Sequence, residues 1–351
     1  MRTWIIPAIY IFLGALSCIT LSSVAPALAV KQLTAFILGG VVIALFSQIP
    51  FSLLLKARWL LYTLNIFLLL LPLFVFDSTR GTHRWIELGP LTYQPSQTAG
   101  LLALFTSIIT LTSAREVTFQ VLFKTFFLAM IPIALVFIAP DLGSAMLVTT
   151  ALLSPLLFVR IKLTRLVPIV LGCSVIALIS WMFLLQPYQK ERLQIFITGE
   201  KTENYNTHQA LIAVGSGTLF GRGIGRGVQS HLRFLPERQT DFIFASFAEE
   251  FGFLGTSLLI ATYFSLLSFL WYMSHSVKTT AGQLFMLSTA TVFLVQMSIN
   301  IHMNLGLLPI TGVTLPFMSY GGSSVIALAV LLGICEQLIL TSEKKHTAYF
   351  T

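Results

Sequence analysis

Phe234-Leu235-Pro236-Glu237-Arg238-Gln239-Thr240-Asp241-Phe242-Ile243-Phe244-Ala245 turns from a basic, proline-bearing loop into an apolar run that continues to Trp271. One carboxylate, Asp241, stands at the junction, and Glu249 and Glu250 follow eight residues later near the start of the run. Carboxylates beside hydrocarbon are costly unless they are paired or have a task. The stretch therefore reads as the entrance of a membrane helix, with chemistry or transport at one face of the bilayer.

The rest of the chain agrees. It is 56% hydrophobic and only 10% charged, well below the roughly one quarter of charged residues in soluble domains, and its mean hydropathy is +0.87. The apolar residues form successive long runs rather than alternating, which favours helices over the strands of a barrel. About ten spans are expected, near Trp4–Ser22, Leu33–Ile49, Trp59–Phe76, Tyr93–Leu111, Leu122–Ile138, Ser144–Val159, Leu166–Leu185, Phe242–Trp271, Leu284–Met303 and Gly321–Leu340. The fold class is an all-α, polytopic transmembrane helical bundle forming a single domain over residues 1–351, with one long extracytoplasmic loop, 186–240, between spans 7 and 8.

Basic residues orient the spans. With both termini in the cytoplasm, that side receives eleven of them, including Arg2, Lys56, Arg58, Lys278 and Lys344, while the short outer loops hold only Lys31, Arg80 and Arg84. The remaining seven lie in the long loop, which weighs less in the rule. Arg2, the first apolar run and Ala27-Leu28-Ala29 also resemble a signal peptide, and its removal would leave the other spans oriented as before. The net charge of +8 is scattered over membrane flanks and one loop, so membrane lipids are the expected general partner and nucleic acid is not. Cys18, Cys173 and Cys335 lie in or at the edge of apolar runs, with neither disulfide nor metal spacing, and read as packing residues. No histidine has ligand spacing, and His302 reads as a packing residue.

Three regions reach the outer face: 77–97, 186–240 and the uncharged, Gly/Pro/Ser-rich 304–324. In the second, Gly221-Arg222-Gly223-Ile224-Gly225-Arg226-Gly227 alternates glycine with arginine. Such a loop can bring backbone N–H groups and guanidinium forks to one diphosphate, or can lie on lipid headgroups. Asp241 has two readings as well. Thr240 and Asp241 are both capping types favoured at a helix start, and a partly desolvated carboxylate there is also suited to general-base work with a raised pKa. Glu249 and Glu250 are adjacent and face different sides of a helix, so at least one turns inward, toward the arginines of the long loop. Asp141 reads as a helix cap or as part of a polar cavity, and Arg84-Trp85 as an interfacial anchor.

The chain strongly resembles the SEDS family (shape, elongation, division and sporulation), the polytopic enzymes that include RodA and FtsW. The resemblance is carried by Gly81–Ile86, Gln94-Pro95-Ser96, Pro140–Gly143, His208-Gln209, Ile212–Gly217, Leu235–Ala245, Glu249-Glu250-Phe251-Gly252 and Leu308–Ser324, with the RodA branch favoured. It implies a peptidoglycan glycosyltransferase that polymerises lipid II on the outer face of the cytoplasmic (inner) membrane during elongation. It also implies work beside a class B penicillin-binding protein and other elongation or division machinery. The family's essential aspartate maps onto Asp241. Substrate contacts are expected from Arg222, Arg226, Arg233, Arg238, Glu249, Glu250, Ser319, Gly321, Gly322 and Ser323. A divalent cation, Mg2+ or Mn2+, is an optional helper for the diphosphate, with no protein metal site assigned.

One departure stands out. The family has Glu, two residues, then Lys after Gln-Pro-Ser, whereas this chain has Gln97 and Gly100. Joint loss at i, i+3 spacing fits removal of an ion pair, since losing one partner would strand a charge. The competing functions are a lipid-linked precursor flippase or other transporter, and an FtsW-like septal polymerase. Transport calls for polar residues through the whole thickness, whereas the acidic residues here lie mostly at span ends.

Overall fold

The computed structural model describes residues 4–74, 84–88, 91–114, 116–139, 141–162, 164–165, 167, 172, 174, 190 and 205–347. Its helices are α1 (Ile5–Val24), α2 (Pro26–Phe46), α3 (Phe51–Lys56), α4 (Arg58–Phe74), α5 (Pro95–Thr112), α6 (Phe119–Ile138), α7 (Leu142–Leu153), α8 (Tyr205–Ser216), α9 (Val228–His231), α10 (Ile243–Ser274), α11 (Thr280–Asn304) and α12 (Gly322–Thr347). Among the described residues six helices are long and apolar enough to cross a membrane: α1, α2, α6, α10, α11 and most of α12. Arg58–Pro72 and Leu142–Phe158 are shorter apolar helices. The chain is a polytopic helical membrane protein. The expected seventh span falls almost wholly outside the described residues.

The second span begins at Pro26 rather than Leu33, because Pro suits a first helical turn and the polar Gln32 inside it is fully buried with its amide bonded. The long loop carries helices α8 and α9. The all-α class is interrupted by a small antiparallel hairpin, β1 (Ile86–Leu88) with β2 (Leu91–Tyr93), in the register Ile86↔Tyr93. Arg84, expected as a lipid anchor, donates from Nε to the Ala139 carbonyl at 2.7 Å.

The chain divides into two compact units. The first comprises 1–48, 192–269 and 293–336. In it α1 and α2 pack through Phe36, whose ring lies against Gly14, and the Tyr10 hydroxyl donates to Phe36 O at 2.7 Å. Tyr10, Phe36 and Phe293 surround Phe317, Tyr10 edge-on and the other two tilted, with ring centroids 5.3, 6.3 and 5.7 Å from it. Below that aromatic cluster runs a polar seam. Ser17 Oγ donates to Met318 O at 2.8 Å, Gln32 Nε2 donates to Ser17 Oγ and Ser319 O at 3.1 Å each, and Gln32 Oε1 accepts from Gly321 N–H at 3.2 Å. Each such buried bond contributes about 1 kcal/mol net, and leaving any partner alone costs more.

The second unit comprises 49–191, 270–292 and 337–351. Its core interleaves Ala99, Ala103, Ala129 and Ala145 with Leu69, Ile133, Val136, Val148 and Leu152. Small residues let apolar helices approach closely where burial from water offers no drive. At its polar end Asp141 caps α7.

Candidate active site

The site is built on a broken helix. α10 is interrupted at Gly252, where φ is 67° and ψ is −165°, a region open essentially to glycine. A break strands carbonyls before it and N–H groups after it. The long loop supplies both sets of partners. Arg222 N–H and Gly223 N–H donate to Glu249 O and Glu250 O at 2.9 and 3.0 Å, and Phe253 N–H and Leu254 N–H donate to Thr218 O and Leu219 O at 2.9 and 3.1 Å.

That close approach explains the glycines. A Cβ on Gly217 would strike Ala248 O, one on Gly221 would strike Glu250 O, and one on Gly252 would strike Gly221 N. The glycine-arginine alternation is therefore not an open anion nest. Besides the two N–H groups committed to α10, Gly225 N–H donates to Ser23 Oγ at 2.9 Å and to Glu250 Oε1 at 3.2 Å, and Arg226 N–H donates to Gly223 O at 3.1 Å. What the loop does present outward is side chains: Arg222, Arg226 and Arg233 are all exposed.

Glu249 and Glu250 are both buried, at 0% and 1% exposure. Glu249 accepts from Gln229 N–H at 2.9 Å, Ser230 N–H at 3.0 Å and the Ser230 hydroxyl at 2.8 Å. Glu250 Oε1 accepts from the Ser23 hydroxyl and lies 3.9 Å from His231 Nδ1. The arginines expected to meet these carboxylates are not among these partners; loop backbone, serines and His231 take their place. Both glutamates tie the loop to α10, and Glu250 ties it to the end of α1 as well.

Asp241 lies two residues before α10 and is half-buried. The backbone leading to it is held by four successive carbonyls. Arg238 O accepts from Ser246 Oγ at 3.2 Å, Gln239 O from Tyr320 N–H at 2.9 Å, and Thr240 O from Ser319 Oγ at 2.6 Å. Asp241 O accepts from Asn300 Nδ2 at 2.9 Å and Asn304 Nδ2 at 3.0 Å. The carboxylate reaches Gly312, where a Cβ would stand 3.8 Å from Asp241 Oδ2. Gly312 has φ +76°, and Glu237 and Phe317 adopt φ of +46° and +58° on either side of the site. Left-handed conformations at bulky non-glycine residues persist only where the surroundings over-determine them.

The remaining expected residues sort by burial. Ser319, 3% exposed, holds Thr240 O and also accepts Leu315 N–H at 2.8 Å. Gly321 is bonded to Gln32, Gly322 approaches Ala35, and Ser323 is buried. Of these four, Ser319 is the one bonded to the backbone before Asp241. Arg238 donates from Nε to Val24 O at 3.2 Å. Burial first, and then the neighbouring Arg233 guanidinium, pull Arg238 below the usual arginine range. A guanidinium whose charged form is disfavoured by burial and by a second cation gains from an anion beside it. No group of three or more His, Cys, Asp or Glu side chains is arranged to hold a metal among the described residues.

The sequence model of the FtsW/RodA/SpoVE family, described as cell cycle protein, matches residues 3–344. The chain belongs to that family. The peptidoglycan glycosyltransferase MrdB of Helicobacter pylori strain 26695 is 34% identical over 321 residues, covering 89% of this chain and 83% of the relative. MrdB of Escherichia coli K12 is 34% identical over 308 residues, covering 85% and 81%. Among solved structures, one from work on polymerization and crosslinking by a peptidoglycan synthase complex superposes with a TM-score of 0.82 at 27% identity, covering 97% of this chain and 98% of that one. The rod shape determining protein RodA of Thermus thermophilus gives 0.67 at 28% identity, covering 96% and 95%.

Within this FtsW/RodA/SpoVE member, several structural residues escaped sequence reading. Asn300, Asn304 and Gln32 are all fully buried and all bonded to the site's backbone. A buried amide inside an apolar run was the available signal. Asp141 accepts four bonds, from Gln94 Nε2 (2.7 Å), Ser96 Oγ (3.1 Å), Ser144 N–H (3.0 Å) and Ser144 Oγ (2.7 Å), and is a cap within a polar cluster. Gly100 faces α7, and a Cβ there would stand 3.8 Å from the Ala151 Cβ. His302, expected to pack, is exposed and bonds Ser298 O at 2.7 Å. Cys335 is buried and Cys18 partly so, while Cys173 lies outside the described residues.

Proposed function

We propose that this chain is a peptidoglycan glycosyltransferase of cell-wall elongation that polymerises lipid II, with Asp241 as the general base. The observation that carries the reading is the Asp241 carboxylate at the mouth of α10, on backbone whose carbonyls from Arg238 to Asp241 are all held. Geometry fixed in advance is what an acid–base group needs, because misplacement by about 1 Å can cost 10²-fold in rate. The MrdB relatives support the reaction class.

The step is a displacement. Asp241 takes the proton of a sugar hydroxyl on the acceptor lipid II, and that oxygen bonds to the anomeric carbon of the donor chain. The bond from that carbon to the polyprenyl diphosphate oxygen breaks, with inversion, and the diphosphate departs with the electron pair. Arg238, desolvated beside Arg233, is suited to meet the departing charge, with exposed Arg222 and Arg226 on the same loop. Glu249 and Glu250 serve substrate by holding the loop, and Ser319 by holding the backbone before Asp241, while Gly321, Gly322 and Ser323 continue the same segment.

The charge distribution supports an inner-membrane protein with cytoplasmic termini and its site on the outer face. A class B penicillin-binding protein, as in a peptidoglycan synthase complex, is the proposed partner. The test is polymerisation of labelled lipid II by the purified complex, with the partner's cross-linking site blocked. Wild type is expected to make glycan chains, and Asp241→Ala to lose at least about 100-fold, the usual range for a removed general base. Full activity in Asp241→Ala would overturn the mechanism.

A further inference from the structure

The first turn of α10 is opened by a side chain from another helix. In a continuous helix Ala245 N–H would donate to Asp241 O, four residues back. Here Ala245 N–H donates instead to Asn304 Oδ1 at 3.0 Å, and Asn304 Nδ2 donates to Asp241 O at 3.0 Å. Asn300, one turn earlier on α11, donates to the same carbonyl at 2.9 Å and to Val313 O at 2.8 Å. A carbonyl has two lone pairs, and both of Asp241's are taken by asparagine amides. The next turn closes normally, with Ser246 N–H on Phe242 O at 3.1 Å.

The amide's orientation follows from its partners. Asn304 Nδ2 faces two carbonyls, Asp241 O and Asn300 O (2.8 Å), while Oδ1 faces an N–H. A flipped amide would set oxygen against two carbonyls and nitrogen against a donor. Asn304 is completely buried, so each of these bonds is made without competition from water.

We propose that Asn304 is a positioning residue for Asp241: its amide, wedged into the first turn of α10, holds the aspartate out of helical register with its carboxylate toward Gly312. The proposal rests on the reading of Asp241 as the base. Without the wedge, Ala245 N–H recovers its partner most directly by closing onto Asp241 O. That closure extends α10 by the residues before Ile243 and turns the carboxylate away from Gly312.

The experiment uses the purified complex with its penicillin-binding partner and labelled lipid II. Asn304→Leu is expected to lower kcat by about tenfold or more with KM unchanged, as a misplaced catalytic group does. Wild-type kcat in that protein overturns the proposal. Asn304→Asp supplies the second readout. Only its protonated acid both donates to Asp241 O and accepts from Ala245 N–H; the ionised form sets two acceptors against a carbonyl. Its activity relative to wild type is therefore expected to rise as pH falls, and a ratio independent of pH overturns the proposal even if Asn304→Leu does not fold. A structure of either variant separates this inference from the assignment of the base. Ala245 N–H bonded to Asp241 O supports the wedge whatever the activity of Asp241→Ala, and an unmoved Asp241 overturns it.

Discussion

Asp141 and Asp241 both precede an apolar helix, and their surroundings differ. Asp141 is 8% exposed, and its carboxylate is the bonded part, accepting from Gln94, Ser96 and twice from Ser144. It is a cap whose capacity is consumed by its own surroundings. In Asp241 the main chain is held firmly: Asn300 and Asn304 saturate its carbonyl, and Ser319 and Tyr320 hold the two residues before it. Fixing the backbone fixes where a side chain begins. A capping residue type thus marks a helix start, and only the partners say whether the carboxylate is a fastening or a tool.

The largest effect should come from the contrast itself. Asp241→Asn keeps size and polarity, so lipid II polymerisation should fall by at least about 100-fold while the thermal midpoint moves little. Wild-type turnover in that protein, measured beside a midpoint scan, would erase the distinction between the two aspartates. Gly252→Ala comes next. It places a Cβ at φ 67° against Gly221 N and the Phe220 backbone, at a cost of about 3 kcal/mol or more from strain and overpacking together. Limited proteolysis should then cut the loop between 217 and 231 well before wild type is cut; equal protection would show that the loop does not depend on the break.

Asp141→Ala should lose about 2 kcal/mol, at the upper end for a lost cap because four donor groups on three residues lose their acceptor in a buried site. Its activity per folded molecule should stay within about threefold of wild type if the residue is a fastening only. A loss as deep as that of Asp241→Asn at intact stability would give Asp141 a place in the chemistry. The smallest effect is expected at Gly100. A Cβ there meets only ordinary contacts, so Gly100→Ala should stabilise the protein by up to about 1 kcal/mol by relieving mid-helix glycine entropy. A lowered midpoint would mean that α5 and α7 are packed too tightly there for a methyl group.

Much of this was legible from residues alone. Runs such as Phe242–Trp271 and Leu122–Ile138 name their helices because hydrocarbon demands continuous apolar surface and internally bonded backbone, both local properties of the chain. The block around Asp241 was also visible, since a carboxylate at the entrance of such a run requires an explanation wherever it occurs. Glycines 221, 223 and 225 were visible as a pattern with two readings left open: whether a glycine admits a ligand or another stretch of backbone depends on what arrives, and at Gly221 it is the broken turn of α10.

Local chemistry therefore determined the membrane helices and marked Asp241 as a carboxylate in need of an explanation. Only the tertiary structure decided how that aspartate is held. Asn300 and Asn304 lie 59 and 63 residues from it in sequence, and Gln32 reaches Ser319 across 287. No periodicity or spacing encodes pairings of that range. They exist because a buried amide in a membrane protein must find partners inside the fold, and folding brought the carbonyls beside Asp241 within its reach.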